Sequence, residues 1–183
     1  MGRIFVFYGP SASGKTEVQK HLTNAQFPRI ITATTRAPRE NEADGIHYLF
    51  IDKQRFIELI EKKELVEYTN YNGEYYGTLR SSIEEILAGS GKANIIMDLS
   101  GVLALKKMYG DHITAIYIGA SLESLERRLT ARGSDADEIA GRLRKAQVEE
   151  LTDRYLEAAD AVVWNNDGTD FGVTLSKVRA YIL

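Results

Sequence analysis

A chain of 183 residues, 44% hydrophobic and 27% charged, has the length of one domain and the composition of a globular protein. No apolar run approaches the roughly 18 residues of a membrane span, and zero cysteines exclude disulfide frameworks, thiolate nucleophiles and Cys-ligated zinc. The net charge of -3 gives no global attraction to nucleic acid or an anionic membrane, so affinity for phosphate must be built locally.

Residues 3–8 (RIFVFY) form a short apolar, aromatic-rich run that ends at Gly9-Pro10 and reads as a buried strand of a parallel sheet. No signal-peptide pattern precedes it, and a cytoplasmic protein is expected. Val18 and Leu22 then mark a helix. Residues 32–77, rich in Thr, Tyr and Gly, break the rhythm with short alternating pieces at Tyr48–Phe50, Leu65–Tyr71 and Glu74–Tyr76 around a helix near 53–63, and predict a small β-rich insert. Further strands are expected at 93–97, 113–118 and 161–164. Helices follow them, carried by Val102, Leu105 and Met108, by Leu122, Leu125 and Leu129, and by Phe171, Leu175, Val178 and Ile182. Strand and helix in alternation predict an α/β fold with a parallel sheet covered on both faces. His21, His47 and His112 are scattered without metal-site spacing.

Gly9-Pro10-Ser11-Ala12-Ser13-Gly14-Lys15-Thr16 matches G-x-x-x-x-G-K-[ST] and lies where that motif works, after a strand and opening a helix. Its backbone N–H groups and the helix N-terminus would face phosphates, with Lys15 on the β and γ phosphates and the Thr16 hydroxyl on Mg²⁺. No Asn-Lys-x-Asp guanine reader of a GTPase is present; the nearest stretch, Asn165-Asn166-Asp167, lacks the Lys.

Arg36 and Arg39 stand three apart around Pro38, which favours an extended backbone and lets both guanidiniums converge on one phosphate. Tyr48 and Tyr76 offer phenolic donors, and Thr32 and Thr78 hydroxyls. Taken singly, each reads equally well as a surface arginine or a packed tyrosine. Farther on, Arg128 and Arg132 are four apart on a helix whose other side carries leucines, so they should project together, and Ser134-x-x-Asp137 reads as a capping box opening a second helix with Arg142 and Arg144. Interleaved acids also allow an ordinary salt-bridged surface pair.

The run from Gly9 to Thr16, Thr34-Thr35-Arg36-Ala37-Pro38-Arg39-Glu40-Asn41-Glu42 with Gly45 and Tyr48, then Glu67 and Tyr75-Tyr76-Gly77-Thr78, resembles the signature stretches of guanylate kinases. Arg128, Arg132-Gly133, Arg142, Ala146-Gln147 and Val163 to Asp167 follow in that family's order, so the resemblance spans nearly the whole chain. It implies a P-loop NTPase fold with a core (1–31, 79–120 and 158–183), a GMP-binding insert (32–78), and a lid with flanking helices (121–157). It further implies ATP-dependent phosphorylation of GMP and dGMP with Mg²⁺. On this resemblance Thr32, Arg36, Arg39, Tyr48 and Tyr76 hold the phosphate or base edge of GMP, and Glu67 and Asp98 read the guanine with Thr78 on its carbonyl side. Asn165 joins the phosphate loop in binding ATP, and Arg128, Arg132 and Arg142 reach the triphosphate.

Guanine supports a carboxylate reader on chemical grounds, since its ring N–H and amino group are adjacent donors where adenine has a ring acceptor. From the residues alone, Glu67 could also be a solvated strand-end carboxylate and Asp98 a partner of Mg²⁺-bound water. The chain departs from the family's Asp-x-Asp-x-Gln-Gly at Ile96-Met97-Asp98-Leu99-Ser100-Gly101, which lacks the first Asp and the Gln. Milder departures are Asn41 for a glycine, Thr32 for a serine and Gly119-Ala120 for two prolines. The rival readings are a kinase of another small phosphate, such as a sugar phosphate, and a non-catalytic guanylate-kinase-like module that binds a phosphorylated protein. No nucleic-acid, membrane or obligate protein partner is expected beyond the substrates ATP and GMP or dGMP.

Overall fold

The computed structural model describes residues 1–182; Leu183, the last residue of the expected core, lies outside the described residues. The chain runs β1 (Arg3–Tyr8), α1 (Lys15–Leu22), β2 (Ala33–Thr34), β3 (Leu49–Phe50), α2 (Lys53–Glu61), β4 (Leu65–Tyr71), β5 (Glu74–Leu79), α3 (Arg80–Ala88) and β6 (Lys92–Ile96). It continues through α4 (Leu99–Tyr109), β7 (Ile113–Gly119), α5 (Leu122–Ala131), α6 (Ala136–Lys145), α7 (Asp153–Glu157), β8 (Ala161–Trp164) and α8 (Phe171–Ile182).

The central sheet has the order β6-β1-β7-β8 with every pair parallel. Alternate residues of β1 serve opposite faces, which is why the run is apolar throughout. Ile4, Val6 and Tyr8 pack with Ile83, Leu87, Val102 and Leu105 of α3 and α4. Phe5 and Phe7 pack with Val18, Leu22, Leu175 and Val178 of α1 and α8. Each fully buried side chain of this size contributes about 1.5–3 kcal/mol. β6 starts and ends one residue before the expected 93–97, although the Met97 N–H still bonds Phe7 O at 3.2 Å. Outside β6, residues 28–30 add a short edge: Ile30 N–H donates to Asn94 O at 2.8 Å and Asn94 N–H to Pro28 O at 2.9 Å.

The insert is a second, mixed sheet of order β3-β2-β5-β4. β4 and β5, two of the expected alternating pieces, form an antiparallel hairpin that turns at Asn72-Gly73, both in the left-handed region. β2, two residues long, has no periodicity to read, and its place between β3 and β5 comes from tertiary pairing alone. Asp52 caps α2 by accepting from the Arg55 N–H. Phe56 and Leu59 then seal the sheet against Ala33 and Leu65.

Within residues 121–157, Leu125 and Leu129 of α5 pack on Ala12, Ala120 and Ala146. The expected capping box is displaced by one residue, because Asp135 caps α6 and accepts from the Glu138 N–H at 2.8 Å. A carboxylate at the cap outcompetes the Ser134 hydroxyl next to it as an acceptor. After α6 the helix widens into a π turn over Ala146–Glu150. Two core phenols moor this return: Tyr117 donates to Glu150 O at 2.7 Å and Tyr8 to Tyr155 O at 2.6 Å. Burial pushes both phenols above their usual range, so they remain donors. Trp164, at the end of β8, sets its ring edge-on to Tyr117 with centroids 6.1 Å apart.

Candidate active site

The phosphate loop follows β1 and wraps with Gly9 at φ 131°, Ala12 at φ 65° and Gly14 at φ 101°. Glycine is required at both ends of the wrap. A Cβ on Gly9 would lie 2.3 Å from Ile118 O, and one on Gly14 would lie 2.5 Å from Asn165 Nδ2. Lys15 opens α1 and folds back so that Nζ donates to Gly9 O at 2.8 Å and Pro10 O at 2.6 Å. Burial lowers its pKa to about 8, which leaves the ammonium charged at pH 7 and thinly solvated. The buried Ser13 hydroxyl has no hydrogen-bond partner among the described residues.

Asn165 braces this loop from below. Its Nδ2 donates to Ser13 O at 2.8 Å, and its Oδ1 accepts from the Thr174 hydroxyl at 3.1 Å. Arg128 works from the same side, donating to Ala12 O at 3.2 Å and Asn165 O at 2.7 Å and pairing with Asp167 at 2.8 Å. Arg128 and Arg132 line one cavity but differ in their ties. Arg128 turns inward because Asp167 and two loop carbonyls await it, while Arg132, at the end of α5, is exposed. A cavity of about 500 Å³ lies alongside, lined by Gly14, Arg128, Arg132, Asn165 and Asp167 among others. Arg142 of α6 donates to the Ser11 hydroxyl and pairs with Glu138 at 2.6 Å, which joins α6 to the phosphate loop.

On the insert side Thr32, Tyr48, Glu67, Tyr76, Thr78 and Asp98 line a cavity of about 300 Å³. A neighbouring cavity of about 290 Å³ shares Thr32, Tyr48 and Ile96 and extends to Thr16. The Thr78 hydroxyl donates to Glu67 Oε1 at 2.8 Å, and burial raises the Glu67 pKa. Asp98, two residues after the buried strand β6, is exposed and caps α4, accepting from Gly101 N–H at 2.9 Å and the Ser100 hydroxyl at 2.7 Å. The residue that departs from the family pattern, Ile96, is an apolar wall shared by both cavities.

Arg36 and Arg39 both lie near Glu42, with different ties. Arg36 is bound two-pronged by Glu42, at 2.8 and 2.9 Å, and sits 5.5 Å from the centroid of the Tyr48 ring. Glu42 also accepts the Arg39 backbone N–H at 2.9 Å, while the Arg39 side chain is exposed. Arg36 holds the Glu42 carboxyl down to about 2. Glu42 is thus an aligner of Arg36 that the sequence reading quoted within a motif and assigned no role. A glutamate six residues after an arginine, across a proline, was the available signal.

Among the described residues no three His, Cys, Asp or Glu side chains gather as a cation cage, and no helix is long and apolar enough to cross a membrane. A parallel α/β sheet, a phosphate loop at the end of its first central strand, and a second polar cavity reached past Thr16 define a P-loop phosphotransferase layout. The family model for guanylate kinase matches residues 1–182. A guanylate kinase of Methylobacillus flagellatus is 32% identical over 183 residues, with 99% of this chain and 88% of the relative covered. One of Mycoplasma pneumoniae is 36% identical over 187 residues, with 100% and 76% covered. The crystal structure of guanylate kinase from Anaplasma phagocytophilum superposes with a TM-score of 0.71 at 25% identity, covering 99% of this chain and 84% of that one. The chain belongs to the guanylate kinase family.

Proposed function

We propose that this chain transfers the γ-phosphoryl group of ATP to GMP, and to dGMP, giving ADP and GDP or dGDP. The observation that carries the reading is the continuous pair of cavities from Thr16 to Glu67, which lets one ligand present a phosphate to the loop and a base to a carboxylate. Glu67 accepts the two adjacent guanine donors, with Thr78 holding its other side, and Asp98 lies at the same cavity's rim. Thr32, Tyr48 and Tyr76 surround the sugar and phosphate, and Arg36 and Arg39 neutralise the acceptor phosphate from the edge of the insert (32–78).

ATP lies with its phosphates on Gly9 to Thr16, including the N–H groups of Pro10's successors Ser11, Ala12 and Ser13, and its adenosine toward the Arg128–Asn165 cavity. Arg128 and Asn165 act there as positioning residues through the loop carbonyls they hold. Arg132 and Arg142, in the lid region (121–157), close over the transferring group. The Thr16 hydroxyl, at the start of α1, would hold Mg²⁺ carried in on the nucleotide, and the ion would offset charge on the phosphates.

The acceptor is already an anion, so no strong base is needed. Catalysis rests on alignment and on Lys15, Arg132 and Arg142 stabilising charge on the phosphoryl group in flight. Arg142 on Ser11 supports a lid that excludes water while both substrates are held. A coupled ADP-release assay with ATP·Mg²⁺ and GMP, dGMP, AMP, UMP or ribose 5-phosphate tests this. Turnover with GMP and dGMP alone is expected. Turnover with the sugar phosphate in their place points to the rival small-phosphate kinase, and GMP binding without any turnover points to a binding module.

The raised pKa of Glu67 gives a pH signature. Its base-reading form is the carboxylate, so GMP recognition is lost as pH falls through a value above the usual 4.5. The ratio of kcat/KM for GMP between the parent and Glu67→Gln is expected to shrink as pH falls toward 5. Ionisation of GMP itself cancels in that ratio, and a flat ratio from pH 8 to 5 would count against Glu67 as the reader.

A further inference from the structure

We propose that Arg29 is a positioning residue for the acceptor site, a guanidinium strap that ties the insert's 43–48 loop to the central sheet and sets where Tyr48 stands. The proposal rests on reading the Thr16-to-Glu67 cavities as that site.

The root of the strap is rigid. Residues 28–30 pair with β6, and the Asn94 side chain locks them by donating to Phe27 O at 3.1 Å and Pro28 O at 3.2 Å. Asn94 Oδ1 in turn accepts from Gln19 Nε2 of α1 at 2.8 Å, so the root is fixed to the phosphate-loop helix as well as to the sheet. From this root the half-buried Arg29 side chain crosses to the insert, where one guanidinium nitrogen donates to Ile46 O and to His47 O, each at 2.8 Å.

Beyond Arg29 the loop is tied at its C-terminal side, where Asp44 Oδ1 accepts the Phe50 N–H of β3 at 2.8 Å, and its remaining bonds are internal. Gly45 N–H bonds Tyr48 O at 2.8 Å, Ala43 N–H bonds His47 Nδ1 at 3.0 Å, and Ile46 points outward with 64% exposure rather than into a core. Beside the loop lies open volume, a cavity of about 540 Å³ that touches Thr16, Lys20, Arg29, Ile46 and His47, and the 290 Å³ cavity that adds Thr32 and Tyr48. A loop flanked by free space and lacking an apolar anchor keeps its position through the polar ties it has. Tyr48 is the next residue after the gripped carbonyl, and its ring carries Arg36 at 5.5 Å and meets Tyr76 at 6.2 Å. Displacing residues 46 and 47 therefore moves Tyr48 and Arg36 together.

Both acceptors are backbone carbonyls, so the strap is indifferent to side-chain changes in the loop and depends on the donor alone. Both bonds leave one guanidinium nitrogen, and the planar group on its longer side chain fixes where that nitrogen stands, whereas a lysine ammonium could reach the same carbonyls only from a shorter and freely rotating stem. Arg80 makes the matching tie at the other chain crossing, its Nε donating to Lys63 O at 2.7 Å, far from Tyr48 in the sequence.

The test compares the parent, Arg29→Ala, Arg29→Lys and Arg80→Ala, with GMP binding measured by calorimetry without ATP. Arg29→Ala is expected to raise the GMP Kd and KM about 10-fold, consistent with loss of charge-assisted hydrogen bonds. Its kcat is expected to stay within about 3-fold and its KM for ATP to stay unchanged, as for a residue acting on acceptor placement. Arg29→Lys should fall between, and Arg80→Ala should leave GMP affinity within about 2-fold. Amide exchange over residues 43–49 should quicken in Arg29→Ala without ligand, a local change that a general loss of stability would not confine there. Equal GMP affinity and exchange in parent and Arg29→Ala, or parallel rises in both KM values, would overturn the strap. Absence of GMP binding by the parent would instead overturn the functional reading beneath it. Should Arg29→Ala fold poorly, Arg29→Lys carries the same comparison.

Discussion

Lys15→Ala is expected to lower GMP turnover by about 1,000-fold or more, the scale of removing a preorganised charge from phosphoryl transfer. The ammonium is buried, and its pKa near 8 reflects a group stripped of much of its water. Its charge therefore acts on a bound phosphate with little solvent screening. The substitution also strips the donor from Gly9 O and Pro10 O, whose bonds to Nζ help hold the loop's wrap. Alanine is well tolerated at the first position of a helix, so α1 should persist. Thermal melting checks that it does, and the coupled assay reads the loss. Retention of GMP turnover within a few-fold of the parent would remove Lys15 from the mechanism.

The second large effect is expected at Glu67→Gln, with kcat/KM for GMP down about 100-fold and the preference for GMP over AMP narrowed by a similar factor. Guanine's two donors meet a carboxylate as paired acceptors. An amide presents one acceptor and one donor, so one charge-assisted bond weakens and the other becomes a clash of donors. Adenine, with an acceptor beside a donor, is the better complement to that amide. The change is nearly isosteric, and Thr78 retains an oxygen to donate to, so the cavity should keep its shape. Steady-state kinetics with both acceptors and an unchanged KM for ATP decide the matter. A GMP-to-AMP preference within 2-fold of the parent's would reassign Glu67 to structure.

What was legible in the sequence follows from how local each signal is. Gly9 to Thr16 carries its chemistry on consecutive residues, and the flanking strand and helix are readable from apolar runs, so the phosphate loop could be placed without any tertiary information. The parallel sheet followed from the same alternation of runs. Arg128 illustrates the opposite case. Helical spacing placed it beside Arg132, yet its partner Asp167 is 39 residues away and the Ala12 carbonyl 116 residues away. No periodicity encodes such pairings. The cap made by Asp98 was not legible, because an aspartate between an apolar strand and a helix shows its acceptors only once Ser100 and Gly101 are placed around it. Arg29 carried no motif at all; its importance arises from the pairing of residues 28–30 with β6, which a two-to-three-residue edge cannot announce.

The single tryptophan gives the molecule a built-in optical probe. Trp164 is partly solvated, meets Tyr117, whose phenol donates to Glu150 O, and precedes Asn165, whose amide donates to Ser13 O. Its emission is therefore expected to respond both to nucleotide on the phosphate loop and to movement of the segment around Glu150. Fluorescence titration with ATP can follow both without a label, a coupling enzyme or turnover, in the parent and in variants that have lost activity.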